Sequence, residues 1–442
     1  MTVVLDAAPE PEGSAELPVV PDIPSAPPAA GFPSVDLRLV QLVVESAAKV
    51  PADCPDDEVG GAAADAVLLE QIGLCQAIQH TLAALQATLT RRFARRHVAT
   101  RLAAGETDPA KLERSVVGQV ALACRVSPTQ ARQRVRTARD LHDGLDHVRG
   151  LHAAGELSSR AVDAVVRATR DLDTSERTEV DRRLATHDLR LLGVGRIGDL
   201  ARRLAAEVAP ETFRARVTSA RADRRVTLRP GEDGMAWLTA HLPVEQGAAC
   251  YAALDRAHRV LSASPEPLTR GRGQVMADTL VERLTGQATA DAVPVEIQAL
   301  VPVEALLDPD SPLPADIPGL GPVPADLLTE SPGRRFLRRL VTRTGIVIGG
   351  ESRRRCFSGA LADLIRARSR HRCSEPYCDA PVRHLDHIHR ADDGGPTSME
   401  NGRGVCEFHN HLREQPGWQV HRTERGVETT TPTGHTHLAP PG

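Results

Sequence analysis

The clearest pattern along the chain is a run of apolar residues at three- and four-residue steps. From Ala62 to about Ala104, residues Val67, Leu68, Ile72, Leu74, Cys75, Ile78, Leu82, Leu85, Leu89 and Phe93 recur with helical spacing, which predicts one long helix. Its end carries Arg91, Arg92, Arg95 and Arg96, where positive charge suits the negative end of the helix dipole. Shorter helices follow with their own start signals. Ser127 and Pro128 supply an N-cap and a first-turn proline for a helix over 129–139, Ser158 or Ser159 opens one through Arg170, and Asp173 opens another near Thr174. Residues 119–138 have the layout of a helix-turn-helix, although arginine-rich helical pairs are common without DNA binding and a core-forming pair is the plainer expectation.

Around Val226 the period changes. Two short β-prone runs, 225–229 and 235–239, flank the turn-rich Pro-Gly-Glu-Asp-Gly and predict a hairpin. Helices over 244–261 and 270–285 follow, then a candidate strand at 293–301. Residues 302–324 are rich in Pro, Gly and Asp and predict an irregular connection, with a second hairpin within 338–350. Residues 1–35 hold many prolines and few large apolar groups, so they are expected to be disordered, and 50–61 is a second break.

Length and composition set bounds on this picture. A chain of 442 residues has room for two or three domains with cores of their own. Lysine occurs only at Lys49 and Lys111, so the abundant arginine reflects a coding bias as much as function. The net charge of -4 hides local imbalance, because acidic residues in the first sixty positions offset basic ones further on. Between 331 and 372 there are 12 Arg against only Glu351 and Asp363, which makes this lead-in strand and helix strongly basic. Its candidates for phosphate contact are Arg334, Arg335, Arg338, Arg339, Arg353, Arg354 and Arg355; a solvated basic face is the alternative. No stretch approaches the roughly 18 apolar residues of a membrane span, and no basic-then-apolar leader opens the chain. The cytoplasm is therefore the expected location. Aromatics at 2% leave no platform for stacking single-stranded bases, so duplex DNA is the better candidate partner. No small-molecule substrate is indicated, and a homo-oligomer is compatible with the sequence.

The distinctive chemistry lies near the C-terminus. Cys373 and Cys378 have four residues between them, and Cys406 and His409 have two. Thiolate and imidazole are the ligands zinc prefers, and two such close pairs, well separated, are how small folds are stapled. The other cysteines, at 54, 75, 124, 250 and 356, are scattered, so disulfides are not expected. His371, His384, His389 and His411 are substitutes should His409 not be the fourth ligand. Between the pairs sit Asp386, His387, Gly394-Gly395 and Asn401, and Asn410 follows His409. A neutral imidazole has a pKa suited to deprotonating water near neutrality, and an Asp beside it suits a hard divalent ion.

That order of residues, over roughly 373–418, resembles the HNH endonuclease motif with its ββα-metal finger. Asn410 stands where the last His usually is, as in the HNN variant, and His409 stands where the fourth zinc ligand is usually Cys. The resemblance implies a DNA endonuclease in which His387 is the general base, Asp386 and Asn410 hold a catalytic Mg²⁺ or Mn²⁺, and Asn401 fixes the loop that orients His387. It implies structural zinc on Cys373, Cys378, Cys406 and His409. A second resemblance spans roughly 40–438. The helices to about Arg225, the hairpin, the phrase Gln274-Val-Met-Ala-Asp-Thr-Leu-Val-Glu-Arg-Leu-Thr-Gly286 and the terminal finger together resemble the actinobacterial domain-of-unknown-function 222 family, whose members often end in an HNH finger.

The expected fold class is therefore mainly α with small β hairpins (α+β), a multi-helix domain followed by a zinc-stapled ββα-metal finger. The expected boundaries are a disordered terminus over 1–35, a mostly helical domain over 36–330, the basic lead-in over 331–372, the nuclease finger over 373–420 and a tail over 421–442. The expectation that competes with cleavage is a zinc-dependent nucleic-acid-binding protein without catalysis; an interaction scaffold built on the helices is a third.

Overall fold

The computed structural model describes residues 61–233, 235–263, 269–289, 311–317, 321–324 and 356–440, with short pieces at 301, 305, 342–343, 346–347 and 351–352. The chain divides into a unit ending at Glu70 and a unit from Gln71 to Gly442. Of the first, only 61–70 are described, and they are helical. The expected disorder at 1–35, the break at 50–60 and the strand from 293 to 300 lie outside the described residues.

The long helix forms as its spacing predicts, as α1, Gly61–Ala103. Its last turn carries Arg101, so the arginines from 91 to 96 lie upstream of the single turn over which the dipole acts. The expected dipole role of that cluster is therefore corrected. Polar caps set the next helices. Asp108 caps α2, Pro109–Cys124; Ser127 and Gln130 form a capping box on α3, Pro128–His142. Next come α4, Asp146–Ala153, α5, Ser159–Ala168, and α6, Thr174–Leu184, with α5 and α6 capped by Ser158 and Asp173. The Gly193-led α7, Val194–Val208, closes this group. Their inner faces meet in one core in which Leu141, Val148, Val165, Val180, Leu184 and Ile197 are all buried. Arg177 is buried too, and its guanidinium donates to the carbonyls of Asp143 and Leu172 at 2.8 and 2.9 Å. The helical pair over 119–138 is packed into the protein, since α2 is buried continuously from Ser115 to Leu122.

Beyond this core, α8, Pro210–Ala222, leads into the expected hairpin of β1, Arg225–Pro230, and β2, Ala236–His241, paired antiparallel with Arg225 opposite His241. Two helices follow as expected, α9, Val244–Ser262, and α10, Arg272–Thr285. The connection expected to be irregular contains a small ribbon, β3, Ala315–Ile317, against β4, Gly321–Val323. The hairpin expected within 338–350 is present as β5, Thr342–Arg343, against β6, Ile346–Val347.

The C-terminal region is built from short strands around two helices. In chain order these are β7, Glu351–Ser352; α11, Gly359–Arg368; β8, His384–His387; β9, Thr397–Ser398; β10, Gly402–Val405; and α12, Glu407–Arg413. β8 runs antiparallel to β10 with Asp386 opposite Arg403, and β7 pairs with β9. Residues expected to form a tail from 421 onward belong to a three-stranded antiparallel sheet of β11, Gln419–Thr423, β12, Gly426–Thr430, and β13, Thr436–Ala439. Its threonine-rich strands lack the apolar alternation by which strands are recognised, although threonine is a good strand former. The finger also docks on the helices. Leu412 and Trp418 bury themselves against Leu122, Phe408 packs against the α2 cluster of Val116, Val117 and Val120, and Gln415 Nε2 donates to Lys111 O at 3.1 Å. No helix among the described residues is long and apolar enough to cross a membrane.

Candidate metal centre

The two ligand pairs arrive from different elements. Cys373 and Cys378 flank a tight turn whose Tyr377 has a left-handed φ of 61°, and the turn is tied down by Cys373 N donating to Ala380 O and Ser374 N to Gly404 O, both at 2.8 Å. Cys406 stands at the start of α12, and His409 lies one turn along it. The fold brings all four together: the three sulfurs and one histidine nitrogen lie within 4.8 Å of one another, and all four residues are buried. Cys373 Sγ is 3.4 Å from His409 Nδ1, Cys406 Sγ is 3.3 Å from the same nitrogen, and Cys378 Sγ is 3.9 Å from Cys406 Sγ. Zinc with Zn–S of about 2.3 Å holds tetrahedral ligands roughly 3.8 Å apart, so the donor set fits this ion in both chemistry and size. The proton equilibria show how strongly these groups interact. Hydrogen bonds with its two cysteine neighbours push the Cys373 thiol up and the Cys406 thiol down. Burial pulls His409 down, but the sulfurs of Cys378 and Cys406 outweigh it and leave its pKa at about 10.

Behind this cluster lies a buried ionic chain. Arg403, whose side chain is 2% exposed, donates to Glu375 on one side and to Asp386 Oδ2 on the other, with Nη2 2.9 Å from that oxygen. Arg413 of α12 reaches the same Oδ2 at 2.5 Å and also donates to the carbonyls of His387 and Ile388. Burial pushes the Glu375 carboxyl up, but Arg403, His409 and the Thr429 hydroxyl more than offset it and hold it below the usual carboxylate range. Glu375 therefore joins the Cys373 turn, β10 and the terminal sheet. Glu375, Arg403 and Arg413 were not singled out from the sequence; charged residues within a metal-ligand motif are the one signal that marks them.

The remaining candidates divide between two faces of β8. The strand is regular through His387, so Asp386 and His387 project oppositely. Asp386 turns to Arg403 and Arg413, and its Oδ1 has no hydrogen-bond partner among the described residues. His387 turns the other way, with Nε2 2.9 Å from Thr397 Oγ1 and its ring 4.3 Å from that of Phe357. On Asp386's side, His384 is exposed, with its ring 6.3 Å from that of His411 on α12. Asn410 lies three residues before Arg413 on α12 and so shares its face.

Asn401 is buried in the loop between β9 and β10. Its Oδ1 accepts from His389 N at 2.8 Å, and its Nδ2 donates to the carbonyls of His389 and Pro396 at 2.9 and 2.8 Å. These three bonds close the loop that carries the Gly-Gly turn. Gly394 has φ +88°, and a Cβ on Gly395 would stand 2.0 Å from His389 O, so both positions require glycine. Arg334, Arg335, Arg338, Arg339, Arg353, Arg354 and Arg355 lie outside the described residues. Of the other lead-in arginines, Arg368 donates to the carbonyls of Met399 and Gly402, and Arg366, Arg370 and Arg372 lie within 4 Å of Asp363, Asp316 and Asp379 respectively.

Residues 69–306 match the family described as Domain of unknown function (DUF222), more than half of the chain, which therefore belongs to that family. The match covers the helical core, the β1–β2 hairpin and α9–α10, and it ends before the finger. No curated protein and no solved structure matches the chain.

Proposed function

We propose that the C-terminal finger is a zinc-stapled, Mg²⁺- or Mn²⁺-dependent endonuclease that hydrolyses phosphodiester bonds in duplex DNA. The observation that carries this reading is the four-ligand cluster, whose members pin α12 and the Cys373 turn around the strand bearing Asp386 and His387. In this reading Asp386, through Oδ1, and Asn410, through its amide oxygen, hold the divalent ion, which supplies charge stabilisation to the phosphate and the leaving oxygen. His387 takes the proton from the attacking water, its ring oriented by Thr397 and Phe357. β8 ends at His387, so a phosphate lying across the strand end meets both of its faces. Asn401 keeps the following loop closed. The basic lead-in with Arg334, Arg335, Arg338, Arg339 and Arg353–Arg355 supplies sequence-independent attraction for the DNA backbone.

One observation favours a second reading, a zinc-dependent nucleic-acid-binding module that does not cut. Asp386 Oδ2 is already neutralised by two arginines, which lowers the affinity of that carboxylate for a cation. A plasmid-nicking assay in Mg²⁺, Mn²⁺ or chelator, run beside a binding assay on the same DNA, separates the two. Metal-dependent conversion of supercoiled to open-circular plasmid supports the nuclease, and binding without nicking supports the module.

A further inference from the structure

The arginine cluster that the helix dipole does not explain faces a cleft. Thr88, Arg91, Arg92 and Arg95 stand at i, i+3, i+4 and i+7 on α1, so they share one face of it. Opposite them stand His142 at the end of α3 and Arg149 on α4, and together these six residues line a cleft of about 280 Å³. Four guanidinium groups converge there. Two of them are answered by carboxylates: Arg91 by Asp143 at 2.7 Å and Arg149 by Asp146 at 2.6 Å. Arg92 and Arg95 have no carboxylate partner among the described residues, so the lining keeps a surplus of positive charge. Arg149 Nε is buried with no hydrogen-bond acceptor among the described residues.

His142 lines the same cleft, and burial chiefly, with a smaller push from Arg91 and Arg149, holds its pKa below the ordinary value. His142 Nδ1 lies 2.8 Å from Ala138 O, and its Nε2 lies 3.3 Å from Thr88 Oγ1, whose hydroxyl donates to Ala84 O at 3.1 Å. The cleft lining thus joins a His142–Thr88 contact to a set of guanidinium groups. Planar guanidinium forks match the oxygens of a phosphate and bind them by two parallel hydrogen bonds. The cleft volume is far above the roughly 15 Å³ that one water needs, so a phosphate can enter with a group attached to it.

We propose that this cleft is a phosphate-binding site of the helical region, with Arg92 and Arg95 as its main contacts. The ligand is a phosphate group, either free as phosphate or pyrophosphate or carried in a nucleic-acid backbone. The site is separate from the finger and does not depend on whether the finger cuts DNA.

The test compares the full-length, zinc-loaded protein with the double variant Arg92→Ala/Arg95→Ala, whose altered side chains are exposed; circular dichroism checks that the variant keeps its fold. Calorimetric titration with inorganic phosphate and pyrophosphate forms one arm, and affinity for a duplex oligonucleotide across a salt series forms the other. A tenfold or larger loss of pyrophosphate affinity in the variant assigns the site to a free phosphate ligand. Where the free anions do not bind, a flattening of the log–log salt slope for the duplex by about 1.8, two contacts at about 0.9 each, assigns it to the backbone. If the wild type binds neither anion and the variant's salt slope equals the wild type's, the proposal is overturned.

Discussion

Leu412 of the finger fills the notch that Gly118 leaves in α2. A Cβ at residue 118 would fall 2.6 Å from Leu412 Cδ2 and 3.2 Å from the Trp418 ring, so the two segments approach as closely as they do because position 118 has no side chain. Leu412, 3% exposed, is shared between the finger's helix and the helical core. Leu412→Ala should therefore cost about 2–5 kcal/mol in urea unfolding, the usual range for a buried leucine. A change within about 0.5 kcal/mol, as for a surface position, would mean that this contact does not form in solution.

Freshly purified protein should contain one zinc per chain by elemental analysis. Cys378→Ala and Cys406→Ala should each lose the metal and unfold the finger, because such a site contributes on the order of 10 kcal/mol to folding. Zinc-free protein with an intact finger would remove the structural role assigned to the cluster.

Arg403 offers a test of the buried ionic chain. Replacing it with Ala leaves Glu375, whose side chain is 4% exposed, and Asp386 without their shared cation. Breaking a buried pair in this way costs about 3–5 kcal/mol, read as a lower urea midpoint at neutral pH. A midpoint equal to the wild type's would show that the chain is not maintained.

The helical core should weaken as the solution is acidified. His152 is 3% exposed, and burial chiefly, with a smaller push from His80, holds its pKa below the ordinary value of 6.5. Below pH 6.5 the unfolded chain takes up a proton that the folded one resists, so stability falls as pH drops from that value toward the lowered one. Asn at this position retains a donor for Leu157 O, which His152 Nδ1 contacts at 2.8 Å, but does not titrate. Thermal melts between pH 7 and 5 should fall more steeply for the wild type than for His152→Asn; parallel curves would contradict this assignment.

How much of this was legible in the chain varied with the kind of signal. The long helix over 61–103 and the hairpin at 225–241 could be read because each follows one local period. The Cys373, Cys378, Cys406 and His409 cluster could be read because soft donors at short spacing have few other uses. What the sequence hid was long-range pairing. Nothing local says that Asp386 will be held by Arg403 and Arg413, that Phe408 and Leu412 of the finger will pack on α2, or that a threonine-rich stretch after 421 will form a sheet. Arg91, Arg92 and Arg95 were misread for the same reason, since their cleft is completed by His142 and Arg149 from other helices.

The central claim, that the finger cuts DNA with His387 as its base, is tested most directly by the plasmid-nicking rate of His387→Ala in Mg²⁺ against that of the wild type. His387 is no ligand of the zinc cluster and no proposed ligand of the divalent ion, so the variant should fold, keep its zinc and bind duplex DNA as the wild type does. Its nicking rate should fall at least about a hundredfold, the usual contribution of a positioned acid–base group. A wild type that binds the plasmid but never nicks it in Mg²⁺ or Mn²⁺, or a His387→Ala variant that nicks at the wild-type rate, would contradict the claim.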